Sequence, residues 1–169
     1  MKLTRIAWAI FDKTLTTLMV LACALVLLDT LAVTVDVILR YWLGITWTGL
    51  FEITEYSLLW ITFLSVAWIL KVDGHIRVDL MLSHFNPRHR AITNIVTSIV
   101  CIILLCVLIW YSVRLTLNDY QTGRYISSIL QPVKWPIEII IPIGYFLLLI
   151  QFLRIVYGRL KSWKALSTE

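Results

Sequence analysis

Apolar residues fill four stretches of the chain, about 14–36, 54–70, 92–113 and 136–157, and polar residues gather between them. A bilayer core about 30 Å thick needs roughly 20 apolar residues per helical crossing, so each stretch reads as one span. The second is the shortest. Its uninterrupted part runs only from Tyr56 to Leu70, which places Glu52 and Glu55 at or just inside an interface. The pattern predicts an all-α membrane protein with four transmembrane helices, forming one membrane domain over residues 1–169, with short amphipathic interfacial segments.

The connectors add detail. Residues 1–13 mix Lys2, Arg5 and Lys13 with Leu3, Ile6, Trp8, Ile10 and Phe11, the makings of a short interfacial helix or a basic flank. Val20 to Cys23 resembles a lipoprotein cleavage box, but cutting there would divide an apolar run that continues through Leu28, so the segment is expected to stay attached. Tyr41, Trp42 and Trp47 suit an interfacial aromatic belt. Asn86-Pro87 is a start signal for the third span. Glu138 falls in the first turn of the fourth, where a carboxylate meets the helix dipole favourably, and Pro142 marks a kink.

Composition narrows the class. With 60% apolar and 15% charged residues, nothing is left over for a soluble domain. The net charge of +5 does not point to nucleic acid, because Lys and Arg are scattered between the spans without a sustained basic stripe. They follow topology instead. Eleven of the 15 flank the amino end, the 71–90 connector and the tail, against Arg40, Arg114, Arg124 and Lys134 elsewhere. The positive-inside rule then puts both termini and the 71–90 connector in the cytoplasm, with the 41–54 and 114–135 loops outside.

Candidate chemistry is sparse. Asp36 and Arg40 each fall within about 20° of Asp29 on a helix of 3.6 residues per turn, so the three form one polar stripe. An acid near mid-span costs about 2.5–3.5 kcal/mol on insertion scales, whereas each Leu returns about 0.3–0.6. Asp29 should therefore face protein. Either it serves a proton or cation relay, or it fixes helix packing while Asp36 and Arg40 pair at i,i+4; a lone intramembrane acid favours packing. Trp60 and Trp68 share a face. Cys23, Cys101 and Cys106 lie inside apolar runs and read as small hydrophobes. His75, His84 and His89 sit outside the spans at irregular spacing, which supports neither a bis-histidine haem nor a closed zinc site. No P-loop, HExxH or GxSxG is present, so neither an enzyme nor a cofactor is expected.

Asp36-Val37-Ile38-Leu39-Arg40-Tyr41, then Trp47, Glu52 and Glu55, then Trp60 to Ala67, then His75-Ile76-Arg77-Val78-Asp79 come in an order that resembles the DctQ-type small membrane subunit of tripartite ATP-independent periplasmic (TRAP) transporters. Ser127 to Pro132 and Ile141-Pro142-Ile143-Gly144 extend the resemblance over nearly the whole chain. Ser65 departs from it, where Gly is expected. The resemblance implies a bacterial inner-membrane component working with a large, many-spanning membrane subunit and a periplasmic substrate-binding protein. Uptake in such systems is driven by an ion gradient, usually sodium, and the small subunit attaches to the static scaffold of an elevator-type partner.

On that reading Asp29, Asp36, Arg40, Glu52, Glu55 and Trp60 are structural or docking groups. Trp47, Tyr120, Arg124 and Tyr125 approach the binding protein or the outer rim of the large subunit, or simply anchor at the interface. His75, Arg77 and Asp79 lie at the cytoplasmic interface, with Arg77 meeting lipid headgroups or the partner. Two other readings compete: a self-sufficient small transporter using Asp29, and a membrane redox subunit, which the lack of intramembrane histidines disfavours.

Overall fold

A computed structural model describes residues 2–73 and 87–166, with side chains described for residues 5–72 and 97–158. Five helices account for most of it: α1 Lys2–Leu43, α2 Thr48–Asp73, α3 Pro87–Thr122, the single turn α4 Trp135–Glu138, and α5 Ile140–Leu166. Among the described residues four helices are long and apolar enough to cross a membrane, with α4 and α5 together supplying the fourth.

The first and third helices outrun the apolar runs that predict them. Residues 2–13 do not form a separate interfacial helix; the basic flank is itself helical and continues directly into the first span. At 1.5 Å per residue α1 is about 63 Å long, roughly twice a bilayer core. Likewise α3 continues nine residues past Val113. Hydroxyl residues are tolerated inside the helices because they bond back to their own backbone: the Thr30, Thr34, Thr62 and Thr116 hydroxyls each donate to the carbonyl four residues earlier.

Helix ends follow local chemistry. Gly44 adopts φ +67°, a left-handed conformation that costs glycine little, and its N–H donates to the Arg40 carbonyl at 3.2 Å, closing α1. Pro87 opens α3, where its missing N–H is not needed. The break between α4 and α5 falls at Ile139. Pro142 explains it, since it has no N–H to offer the Glu138 carbonyl four residues before.

The helices pack as an open row, not a closed bundle. α1 lies on α2, α2 on α5, and α5 on α3, with no extensive contact between α1 and α3 among the described residues. A cluster of Ala22, Leu64 and Ile140 joins α1, α2 and α5, with Leu18, Leu25, Trp60, Phe63 and Ile141 packed around it. Gly144 allows the closest approach in the row. A Cβ there would lie 2.7 Å from the Phe63 ring and 3.0 Å from the Phe63 carbonyl oxygen. The Phe63 and Tyr145 rings meet edge to face at 5.1 Å beside it. Burial is otherwise thin. Among the described residues of α1 only Leu15, Ala22 and Asp36 are buried, and Leu27, Leu28, Leu31 and Val35 are more than half exposed. In water such a surface would be untenable; in a bilayer it is available to lipid or to another membrane protein.

Candidate functional site

Polar side chains within the row gather in two layers, one near Asp12 and one near Asp36. At the Asp12 end, three helices are clasped by a single carboxylate. Asp12 of α1 accepts two hydrogen bonds from the Arg154 guanidinium of α5, at 2.6 and 3.1 Å, and pairs with Lys71 of α2 at 3.0 Å. The bidentate fork fixes direction as well as distance. Arg154 also lies over the Trp8 ring at 4.8 Å, a cation–π contact that ties the first turns of α1 to α5.

At the Asp36 end the polar stripe of α1 turns toward α2. Asp36 is 3% exposed; it accepts from Arg40 at 2.5 Å and from the Trp47 backbone N–H at 3.1 Å. The expected i,i+4 pair therefore forms, and the same carboxylate pins the turn into α2. The Arg40 guanidinium stands 5.5 Å from the Phe51 ring centre. Two turns deeper, Asp29 accepts a short hydrogen bond from the Ser57 hydroxyl of α2. Asp29 thus faces protein on one side, as its insertion cost predicts.

Glu52 holds the connector between α3 and α4. Its two carboxylate oxygens accept from successive backbone N–H groups, Ile129 at 2.6 Å and Leu130 at 3.1 Å. The Tyr56 and Ser128 hydroxyls lie 3.3 Å apart beside it. Leu130 fills the space over Gly49, where a Cβ would stand 2.9 Å from its Cδ1. Tyr125 and Val133 pair in a short antiparallel bridge that folds the connector back on itself, with Gln131 at φ +44° turning it. Glu52→Ala removes both acceptors. The expected result is proteolytic cleavage within residues 126–131 roughly tenfold faster than in the native chain, since each charged hydrogen bond lost favours local opening; an unchanged cleavage rate would show that Glu52 does not hold the loop.

The base of that connector carries a buried ion cluster. Asp119 of α3 is 0% exposed, with Lys134 at 3.0 Å and Arg124 at 3.7 Å; Lys134 also reaches Glu138 at 3.0 Å. Asp119, then Glu138, holds the Lys134 ammonium above its ordinary pKa, so it stays charged through neutral pH. The Glu138 carboxylate is therefore engaged by a cation as well as sitting in a first helical turn.

The remaining sequence candidates divide. Trp60 packs against the Ala22, Leu64 and Ile140 cluster. Glu55 is exposed, without a hydrogen bond or ion pair among the described residues. Trp47, Tyr120 and Tyr125 are 65%, 62% and 66% exposed, and Tyr120 meets Trp135 edge to face at 5.3 Å. His75, Arg77 and Asp79 lie outside the described residues. Sequence reading missed Asp12, Lys71 and Arg154, Ser57, and the Asp119 to Lys134 pair. The available signal was that Asp12 and Arg154 are opposite charges flanking apolar runs; only the packing of α1 against α2 and α5 joins them.

The family model described as "Tripartite ATP-independent periplasmic transporters, DctQ component" matches residues 29–162. No curated protein matches the chain. The match begins at Asp29, takes in α2 and α3 whole and ends at Ser162 near the close of α5; the chain belongs to the DctQ family and is a membrane component of a tripartite ATP-independent periplasmic transporter.

Proposed function

We propose that this chain is the accessory, scaffold-side membrane subunit of an ion-gradient-driven solute uptake system in a bacterial inner membrane. It docks on a large elevator-type membrane subunit and holds that subunit's static part in place, while a periplasmic substrate-binding protein delivers the solute. Both termini lie in the cytoplasm, the Asp36 layer and the α3 to α4 connector face the periplasm, and sodium is the coupling ion.

One observation carries this reading. The helices form an open row in which Asp12, Asp36, Glu52 and Asp119 are each engaged by groups of the same chain, while broad apolar faces of α1 and α3 remain uncovered. Groups already satisfied within the chain brace helices, and uncovered faces in a membrane suit helix-to-helix docking. The exposed Trp47, Tyr120 and Tyr125, with Arg124, lie on the outward side, Tyr120 in the last turn of α3 and the others in the connectors, where they approach the binding protein or the outer rim of the large subunit.

The test is reconstitution. Proteoliposomes with this chain, the large subunit and the binding protein take up solute under an inward sodium gradient, and omission of this chain lowers the rate at least tenfold. Full-rate uptake without it would end the proposal, and uptake by this chain alone would favour a self-sufficient transporter.

A further inference from the structure

Asp29 is only half satisfied within its own chain. The Ser57 hydroxyl donates to Oδ2, but Oδ1 accepts from no group among the described residues, and it is not one of the buried atoms. The residue lies seven positions before Asp36, about 10 Å farther along α1 toward the Asp12 end, and so within the apolar part of the span.

Directly beside it, toward the Asp36 end, α1 and α2 part to leave a cavity of about 170 Å³, lined by Val33, Asp36, Val37 and Arg40 of one helix and Leu50, Phe51 and Thr54 of the other. Val33 is one turn from Asp29, and Thr54 is one turn from Ser57. The open carboxyl oxygen and the cavity therefore lie about one turn apart along the same α1/α2 groove. The cavity is well below the roughly 300 Å³ of a small-ligand site; its size suits a single protruding side chain.

Lipid tails are a poor cover for this groove. A carboxyl facing hydrocarbon costs what roughly five or more leucines return, and acyl chains have no donor for Oδ1. A protein helix can supply one. We infer that the α1/α2 groove is the face that receives a membrane helix of the large transport subunit, with a donor side chain of that helix meeting Asp29 Oδ1 and an apolar neighbour entering the Val33 to Phe51 cavity. The inference rests on the docking role proposed above and specifies which face of the row performs it.

Three versions of the chain test it, each purified alone and with the large subunit: native, Asp29→Leu and Asp29→Asn. Asp29→Leu is expected to weaken binding of the large subunit about tenfold while the isolated chain melts at the native temperature or higher, because the Ser57 hydroxyl keeps its bond to the Thr54 carbonyl and a half-buried acid with one open oxygen has been replaced by an apolar group. Asp29→Asn, whose amide oxygen still accepts, is expected to bind at least threefold better than Asp29→Leu. Native-like binding by Asp29→Leu would overturn the assignment. So would a lower melting temperature of isolated Asp29→Leu matched by a proportionate loss of binding, since that marks a role in this chain's own packing. If the native chain itself fails to bind the large subunit, the docking role falls first and this assignment with it.

Discussion

Gly144→Ala lowers the melting temperature of the detergent-solubilised chain by roughly 5 °C, and Gly144→Leu lowers it further. The added Cβ of either variant would lie 2.7 Å from Phe63 Cδ1, 2.8 Å from its Cβ and 3.0 Å from its carbonyl oxygen. A ring can rotate away, but a Cβ and a backbone oxygen move only if α2 and α5 separate. Overpacking of this kind costs about 1–3 kcal/mol, and about 2–4 °C accompanies each kcal/mol in a chain of this size. The cluster of Ala22, Leu64 and Ile140 lies across the same junction, so the damage extends to α1. Circular dichroism should show the helices intact, because what fails is packing between them. An unchanged melting temperature in Gly144→Leu would mean that the two helices are not in close contact at this point.

The second large effect concerns a charge left without its partner. Lys134→Met leaves Asp119, 0% exposed, with Arg124 at 3.7 Å as its remaining cation, and strips Glu138 of its ion pair as well. A buried carboxylate deprived of its partner is more damaging than the loss of both charges together. Lys134→Met is therefore expected to destabilise the chain more than the double variant Lys134→Met/Asp119→Asn, which should recover at least half of the lost melting temperature. Arg124→Met should be the mildest of the three, since Arg124 is 60% exposed and stands farther off. If the double variant is no better than the single one, Asp119 is not paying an electrostatic penalty, and the cluster holds α3 to α4 by shape alone.

Much of the architecture was legible in the chain. Four apolar runs announced four spans; Asn86-Pro87 announced the start of α3, and Pro142 the break at Ile139. The i,i+4 spacing of Asp36 and Arg40 announced their pair. All of these depend on neighbours within about one turn, which is the range over which backbone geometry relates sequence to space. The lengths of α1 and α3 were less legible. Hydropathy locates the part of a helix that suits lipid, whereas backbone hydrogen bonding carried α1 back to Lys2 and α3 on to Thr122 across residues of mixed polarity.

Partnerships across large sequence separations were not legible. Glu52 read as an interfacial carboxylate, yet it receives two amides 77 and 78 residues away. Nothing in the residues around Asp12 marks it, though it joins three helices through Arg154, 142 residues on, and Lys71. By itself, then, the sequence determined that this is a four-span membrane protein of the DctQ family, because hydrophobic length and local order of residues suffice for both. Only the tertiary structure decided that the helices form an open row, that Asp12, Glu52 and Asp119 are braces within it, and that one Asp29 oxygen meets no donor among the described residues. The physical reason is that helix order in a membrane is set by side-chain packing and polar pairing between helices, and a periodicity read along one helix does not say which other helix will meet it.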